Sequence, residues 1–230
     1  MTSGHFKLDF HECRRVLNER LAEPAPARIQ LLCGPRQVGK TTLLLELAAS
    51  LGERALYAAG DAPEAALPGF LERTMGRVED VATREGRAIA FLDEVHVLPD
   101  WAARLKGYAD RFRRQQLPIH IVATGSSALH VGSGSRESLA GRFERITLTH
   151  WSADALAQTF MVDRDRVSEH VVRMGSYPGS YPLHADLPRW TAYVRDAILE
   201  PAIGRDILAL AAVRRPALLR QVFAVAATSP

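Results

Sequence analysis

The chain has 230 residues, of which 47% are hydrophobic and 24% charged, and its formal net charge is +3 with an isoelectric point near 9.1. This composition is typical of a globular protein and is too mildly basic to indicate nucleic-acid binding by itself. The two distant cysteines and the arginines that interrupt the most apolar segment do not fit a zinc site, a disulfide scaffold or a membrane span, so we expect a soluble, cytoplasmic protein without a membrane partner.

The first predicted element is a helix. The segment "LDFHECRRVLNERLAE" carries Leu8, Val16, Leu17 and Leu21 at roughly helical spacing, and the prolines of "PAPA" end it. We therefore predict an N-terminal helix and connector over residues 1–27.

A strand, a loop and a second helix follow. The apolar run "ARIQLLCG" closes at Gly34, and "KTTLLLELAASLG" reads as a helix that stops at Gly52. Between them, "GPRQVGKTT" has the spacing of a loop whose backbone N–H groups wrap a phosphate. The predicted nucleotide-binding residues are Gly34, Pro35, Arg36, Gln37, Val38, Gly39, Lys40, Thr41 and Thr42. Lys40 is expected at the β- and γ-phosphates and Thr41 as a ligand of Mg²⁺, the alternative being an ordinary tight turn.

Four more apolar runs predict strands: "RALYAAGD", "RAIAFLDE", "LPIHIVATGSS" and "ERITLTH". Because most are apolar on both faces, they are typical of a parallel sheet covered by helices. The clearest covering helix is "DWAARLKGYADRFRRQQ", in which Trp101, Leu105, Tyr108 and Phe112 fall on one stripe. From Trp151 onward no further strand is convincing, which predicts an α/β core followed by a mostly helical region.

Asp93 and Glu94 end the third apolar run. Adjacent carboxylates at the carboxyl end of a buried strand are costly unless they bind something. We expect Asp93 to hold Mg²⁺ through water and Glu94 to activate the attacking water. A pair of helix-capping acids is the alternative, and the phosphate loop upstream favours the catalytic interpretation.

The fourth run ends in hydroxyl side chains. Asn18 is the only asparagine of the chain, so a γ-phosphate contact there falls to Thr124, Ser126 or Ser127. Ser126 is our preferred candidate, with a plain loop hydroxyl as the alternative. The same scarcity excludes an Asn-Lys-x-Asp guanine reader, and the predicted nucleotide is therefore ATP.

Arg142 precedes the fifth strand, which we place at the edge of the sheet. An arginine there can neutralise charge that develops on the γ-phosphate, often that of a neighbouring subunit. A solvated or ion-paired side chain is the alternative, and Arg136 is the rival candidate.

Several motifs together resemble the predicted prokaryotic AAA+-type P-loop ATPases, in which an AAA domain precedes a C-terminal domain of unknown function. The motifs are "GPRQVGKTTLL", "FLDEVHVLPDW", "TGSSA", "ESLAGRFERITL", "GSYPG" and "YVRDAILEPAIGRDIL". The resemblance implies a five-stranded parallel sheet in the order 5-1-4-3-2, Lys40 and Thr41 in Walker A, Asp93 and Glu94 in Walker B, and an arginine finger at Arg142. It also implies an ATPase core over residues 28–150 and, over residues 151–230, a helical lid and the start of a truncated C-terminal domain.

The expected function is Mg²⁺-dependent ATP binding and hydrolysis that drives a conformational change on a protein or DNA partner, in a homo-oligomer joined through Arg142. One alternative is a P-loop kinase, which would need an acceptor pocket and an arginine-rich lid. Another is a nucleic-acid-binding ATPase module that uses the arginines of "RLKGYADRFRR". The competing interpretation of those arginines is the solvated face of a core-packed helix.

Overall fold

The computed structural model describes residues 7–125, 139, 141–206 and 216–228. Within these ranges, one parallel sheet lies between two layers of helices, and further helices follow it. The strands are β1 (Lys7–Leu8), β2 (Ile29–Cys33), β3 (Ala55–Ala59), β4 (Ala88–Asp93), β5 (Ile119–Gly125) and β6 (Phe143–Leu148).

Helices alternate with the strands and then continue alone. They are α1 (Phe10–Ala22), α2 (Lys40–Leu51), α3 (Phe70–Glu85), α4 (Trp101–Gln115), α5 (Ala153–Phe160), α6 (Arg164–Met174), α7 (Leu187–Tyr193) and α8 (Pro216–Thr228). Two π-helical stretches, Val194–Leu199 and Ala202–Asp206, follow α7. The described residues after Trp151 contain no strand, as the sequence predicts. In the same described ranges, no helix has the length and apolarity that a bilayer crossing requires.

The strand order is β1-β6-β2-β5-β4-β3. With β2 to β6 counted as strands one to five, the predicted order 5-1-4-3-2 is confirmed. The strand β1 was not predicted, because two residues are too short to show a periodicity; it pairs in parallel with Thr147 and Leu148. The fifth core strand is consequently not the edge of the sheet, and the prediction that placed it there is wrong.

The sheet is buried on both faces. Every residue of β2, β4 and β5 is buried, which explains why their sequences are apolar without alternation. On one face, Leu17 of α1 and Leu43 of α2 pack with Phe91. On the other, Met75 of α3 and Leu105 of α4 complete a second cluster. The predicted stripe of α4 is buried at Trp101, Leu105 and Phe112.

The shared direction of the strands determines which loops meet. Because all strands run in parallel, Cys33, Asp93 and Gly125 lie at the carboxyl ends of their strands, on the same side of the sheet. The loops that follow them meet there. Arg142 precedes β6 and so lies at the amino ends of the strands. Its carbonyl accepts a hydrogen bond there from the backbone N–H of Ile29.

Candidate nucleotide-binding site

The loop between β2 and α2 requires its two glycines. A Cβ at Gly34 would collide with the carbonyl oxygen of Leu148. Gly39 has φ of 94°, and its Cβ would lie 3.3 Å from the ring of Phe10. The backbone therefore turns tightly into α2, as a phosphate-binding loop does.

Lys40, the first residue of α2, is 5% exposed. Its Nζ donates to the carbonyls of Gly34 (3.1 Å) and Pro35 (2.7 Å), and so spans the loop. Burial lowers the pKa of Lys40, while the nearby carboxylates of Glu94 and Asp93 oppose that shift. An ammonium has three donors, so the third can serve an anion held in the loop.

Asp93 is 2% exposed and accepts from groups on every side. Its Oδ2 accepts from the hydroxyls of Thr41 (2.6 Å) and Tyr57 (3.0 Å). Its Oδ1 accepts from the Thr124 hydroxyl and from the backbone N–H of Glu94, the latter at 3.1 Å. These donors offset the cost of burying the carboxylate.

Glu94 lies just past the end of β4 in the left-handed region, with φ of 47°. Burial raises the pKa of its carboxyl group, and Lys40 opposes this effect. One carboxylate oxygen is 3.2 Å from Nδ1 of His96, within ion-pair distance. A partly buried carboxylate with raised proton affinity suits a general base.

Thr124 has a structural use that the sequence did not reveal. It is fully buried, donates to Asp93 and accepts from the backbone N–H of Glu94 at 3.0 Å. Its hydroxyl therefore fixes the two acids relative to each other. The preferred γ-phosphate candidate Ser126, its neighbour Ser127 and the alternative finger Arg136 lie outside the described residues.

Arg142 is not brought near the phosphate loop of its own chain, because it lies at the amino ends of the strands and the loop lies at their carboxyl ends. Its Nε donates to Oδ1 of Asp110 on α4 at 2.6 Å. This contact lowers the pKa of Asp110. Both side chains are about one-third exposed or less, at 30% and 26%. The alternative of an ion-paired arginine thus describes Arg142 in this structure.

Two aromatic residues brace the phosphate loop from behind, and sequence reasoning missed both. Phe10 of α1 stacks on Trp151 with ring centroids 4.8 Å apart. The indole N–H of Trp151 donates to the carbonyl of Val38 at 2.8 Å. Phe10, Val38 and Trp151 are too far apart in the chain for any local pattern to connect them.

The helical region also touches the loop. The hydroxyl of Tyr193, at the end of α7, lies 3.3 Å from Oε1 of Gln37 and donates to it. A Cβ at Gly179 would collide with this same hydroxyl. The segment "GSYPG" therefore supplies the glycine that lets Tyr193 reach the loop.

Two of the four arginines of α4 form ion pairs within the chain. Arg104 pairs with Glu72 at 2.6 Å, and Arg111 pairs with Glu79, both acids being on α3. Such pairs favour a solvated helix face over a nucleic-acid interface.

Comparison with known proteins agrees with this geometry. Residues 26–156 match the family model described as an AAA domain. No curated protein matches the chain at a significant level. Among solved structures, a variant of Thermotoga maritima RuvB is 21% identical with a TM-score of 0.53, over 74% of this chain and 58% of RuvB. A structure that describes katanin self-assembly is 17% identical with a TM-score of 0.50, over 73% of this chain and 65% of katanin. The chain thus spans less than two-thirds of either neighbour, and likeness at this identity establishes the fold.

Proposed function

Since the chain belongs to the AAA domain family of P-loop ATPases, we propose that it binds ATP with Mg²⁺, hydrolyses it, and uses the cycle to move its helical region against a macromolecular partner. The observation that carries this proposal is the convergence of Lys40, Thr41, Asp93 and Glu94 at the carboxyl edge of one sheet. AAA membership supports nucleotide-dependent ATPase activity, while the metal and the partner are our inference.

The residues present fit both ligands. The buried ammonium of Lys40 and the N–H groups of a glycine turn suit the phosphates of ATP. Thr41 is exposed, and its hydroxyl with the Asp93 carboxylate forms the all-oxygen donor set that Mg²⁺ prefers. Bound Mg²⁺ would neutralise phosphate charge and help to orient the γ-phosphate.

The chain's own residues divide the remaining work. Lys40 would stabilise negative charge at the outer phosphates. Glu94 would accept a proton from the attacking water, once its carboxylate turns from His96 towards the phosphate. Thr124 keeps Asp93 and Glu94 in fixed relation during this exchange.

Arg142 is the basis for proposing a homo-oligomer. At the edge opposite its own phosphate loop, it would act by reaching a neighbour's nucleotide after exchanging Asp110 for phosphate oxygens. Katanin, which shares the fold, is described as self-assembling. For this chain, Arg142 would complete a neighbour's active site, and the proposal of a homo-oligomer follows from that role.

Residues 151–230 are proposed to act as the moving part, with residues 28–150 as the core. The support is the contact between Tyr193 and Gln37, which joins the helical region to the phosphate loop. A nucleotide that reorganises Gln37 would release or strengthen this contact. The partner is a protein or DNA in this proposal, and the two arginines of α4 that are paired with acids of α3 do not favour DNA.

The testing experiment measures ADP release from ATP with no added acceptor, with Mg²⁺ and again after chelation by EDTA. Turnover that requires Mg²⁺ and is absent in Glu94→Gln supports hydrolysis by this site. ADP formation only when a small-molecule acceptor is added would favour the kinase alternative and contradict the proposal.

A further inference from the structure

The Tyr57 hydroxyl is hydrogen-bonded to Asp93, the expected Walker B aspartate, but Tyr57 belongs to neither the Walker A nor the Walker B motif. It lies on β3 in register with Phe91, while Ala59 is in register with Asp93. Side chains two residues apart along a strand share a face, so Tyr57 and Asp93 project from the same side of the sheet. From this position, the Tyr57 hydroxyl reaches Oδ2 of Asp93 at 3.0 Å.

This contact uses the last acceptor position of Asp93. An ionised carboxylate offers about four lone-pair sites. Thr41 and Tyr57 take those of Oδ2, and Thr124 and the N–H of Glu94 take those of Oδ1. A water molecule on a nearby Mg²⁺ ion would also need an acceptor on this carboxylate, so one of the present donors must leave.

Three of the donors are poorly placed to leave. The Thr41 hydroxyl can offer its oxygen to a metal while its proton still points to Asp93. Thr124 is 0% exposed and holds both acids, so releasing it would leave a buried hydroxyl unpaired. The N–H of Glu94 is part of the backbone directly after β4 and has no separate rotation.

Tyr57 differs from Thr124 in exposure and from the N–H of Glu94 in being a side-chain donor, and unlike the Thr41 hydroxyl it is not an expected ligand of the metal. Its side chain is only partly buried, whereas Thr124 is fully buried, so water can replace a lost hydrogen bond more readily at Tyr57. Its bond to Oδ2 is also longer than the 2.6 Å bond from Thr41. We propose that the Tyr57 hydroxyl occupies the acceptor position on Asp93 that a metal-bound water needs, so that binding of Mg²⁺ with nucleotide displaces it. Tyr57 is then a positioning residue that sets the Mg²⁺ requirement of the site.

This inference rests on the proposed Mg²⁺-dependent binding of ATP, and its test measures binding instead of turnover. A fluorescent, non-hydrolysable ATP analogue is held at fixed concentration with the full chain, and its anisotropy is followed as Mg²⁺ is added. In Tyr57→Phe, the competing hydroxyl is gone, so the half-saturating Mg²⁺ concentration should fall by about three- to tenfold, as expected for one net hydrogen bond. Affinity for the analogue in EDTA should stay within about twofold of the parent value, since Tyr57 acts on the metal partner and the loop retains its phosphate contacts.

Tyr108→Phe is the matched control. Tyr108 is a partly buried tyrosine on α4 whose ring packs near Phe112, away from the acids, and its loss of a hydroxyl should leave the Mg²⁺ dependence unchanged. An equal shift in both variants would overturn the assignment to Tyr57. A half-saturating concentration that is unchanged or higher in Tyr57→Phe would also overturn it, because the hydroxyl would then be neutral or a permanent brace of Asp93.

Two further observations keep the outcomes separate. Thermal unfolding without nucleotide shows whether the Tyr57→Phe variant folds. If it does not fold, Tyr57→Leu, which also lacks the hydroxyl, is used in its place. Parent protein whose analogue binding ignores Mg²⁺ would contradict the proposed function and this inference together. That result is read from the parent alone, before any variant is compared.

Discussion

The hydroxyl of Thr41 donates a 2.6 Å hydrogen bond to Asp93, which joins the start of α2 to the end of β4. The two residues come from the two motifs that the sequence analysis treated separately. Their contact places the end of the phosphate loop and the buried acid in one site. Predictions about either motif therefore concern the same chemistry.

Lys40→Ala should abolish ATP binding, because it removes the compact cation that spans the phosphate loop. In the parent, ATP with Mg²⁺ at a hundred times its dissociation constant should stabilise the fold by about 2.7 kcal/mol. Differential scanning fluorimetry with and without ligand measures this shift. A parent and a mutant that shift equally would show that Lys40 is not the binding residue.

Glu94→Gln should bind ATP normally and hydrolyse it very slowly, because the amide keeps the shape of the side chain but cannot accept a proton. Single-turnover assays should find the nucleotide retained as ATP. Because Gln has no titrating carboxyl, undiminished turnover in this mutant would assign the base elsewhere, with His96 as the next residue to test.

The acid limb of the pH profile of hydrolysis should reflect the raised pKa of Glu94. The base works only when it is deprotonated, so a raised pKa means that activity is lost as pH falls, and that the loss begins above the usual range of a carboxyl group. A pH profile of turnover at saturating ATP measures it. An acid limb at the position of an ordinary exposed glutamate would contradict the burial argument.

Arg142→Ala should retain ATP affinity but lose about 10³-fold in hydrolysis if Arg142 acts on a neighbour's nucleotide. Asp110→Asn is the matched control, since it breaks the same ion pair and keeps the arginine. A partly exposed pair contributes little to stability, so this control should stay active. Equal losses in both variants would assign Arg142 a structural role.

Mixing makes the geometry of this proposal measurable. Glu94→Gln subunits keep an intact Arg142, and Arg142→Ala subunits keep an intact Glu94. Interfaces that contain one of each should recover activity that neither variant has alone. Continued inactivity at all ratios, despite demonstrated co-assembly, would exclude action in trans.

Trp151→Phe should loosen the phosphate loop, because it keeps the stacking with Phe10 but leaves the carbonyl of Val38 without its 2.8 Å donor. We expect a loss of about 1–3 kcal/mol in the free energy of unfolding, measured by urea denaturation. Nucleotide affinity should fall as well. Stability and affinity that both match the parent would show that the indole N–H does not support the loop.

The parts of the site that the sequence predicted are those carried by short local patterns. Gly34 to Thr42 are contiguous, and Asp93 and Glu94 close an apolar run, so composition and spacing were enough. The strand order came from resemblance, and the structure confirms it. None of these predictions requires knowledge of contacts between residues that are distant in the chain.

The contacts that were missed depend on register and on long-range packing. Tyr57 meets Asp93 only because β3 and β4 pair with Ala59 opposite Asp93. Arg142 pairs with Asp110, which lies on a different element. The local sequence around Arg142 does not distinguish it from the many other arginines that could form such a pair. No periodicity reports these relations, because they arise after the chain has folded.

The bond from Trp151 to Val38 gives the chain an optical probe of its own. Indole emission responds to a change in the hydrogen bond and polarity at its nitrogen. This nitrogen is hydrogen-bonded to Val38, in the loop that would close on phosphate. Trp101 and Trp190 are the other two tryptophans. With both replaced by phenylalanine, the remaining fluorescence would come from Trp151, and the arrival and departure of unlabelled nucleotide could be followed in a stopped-flow instrument in real time.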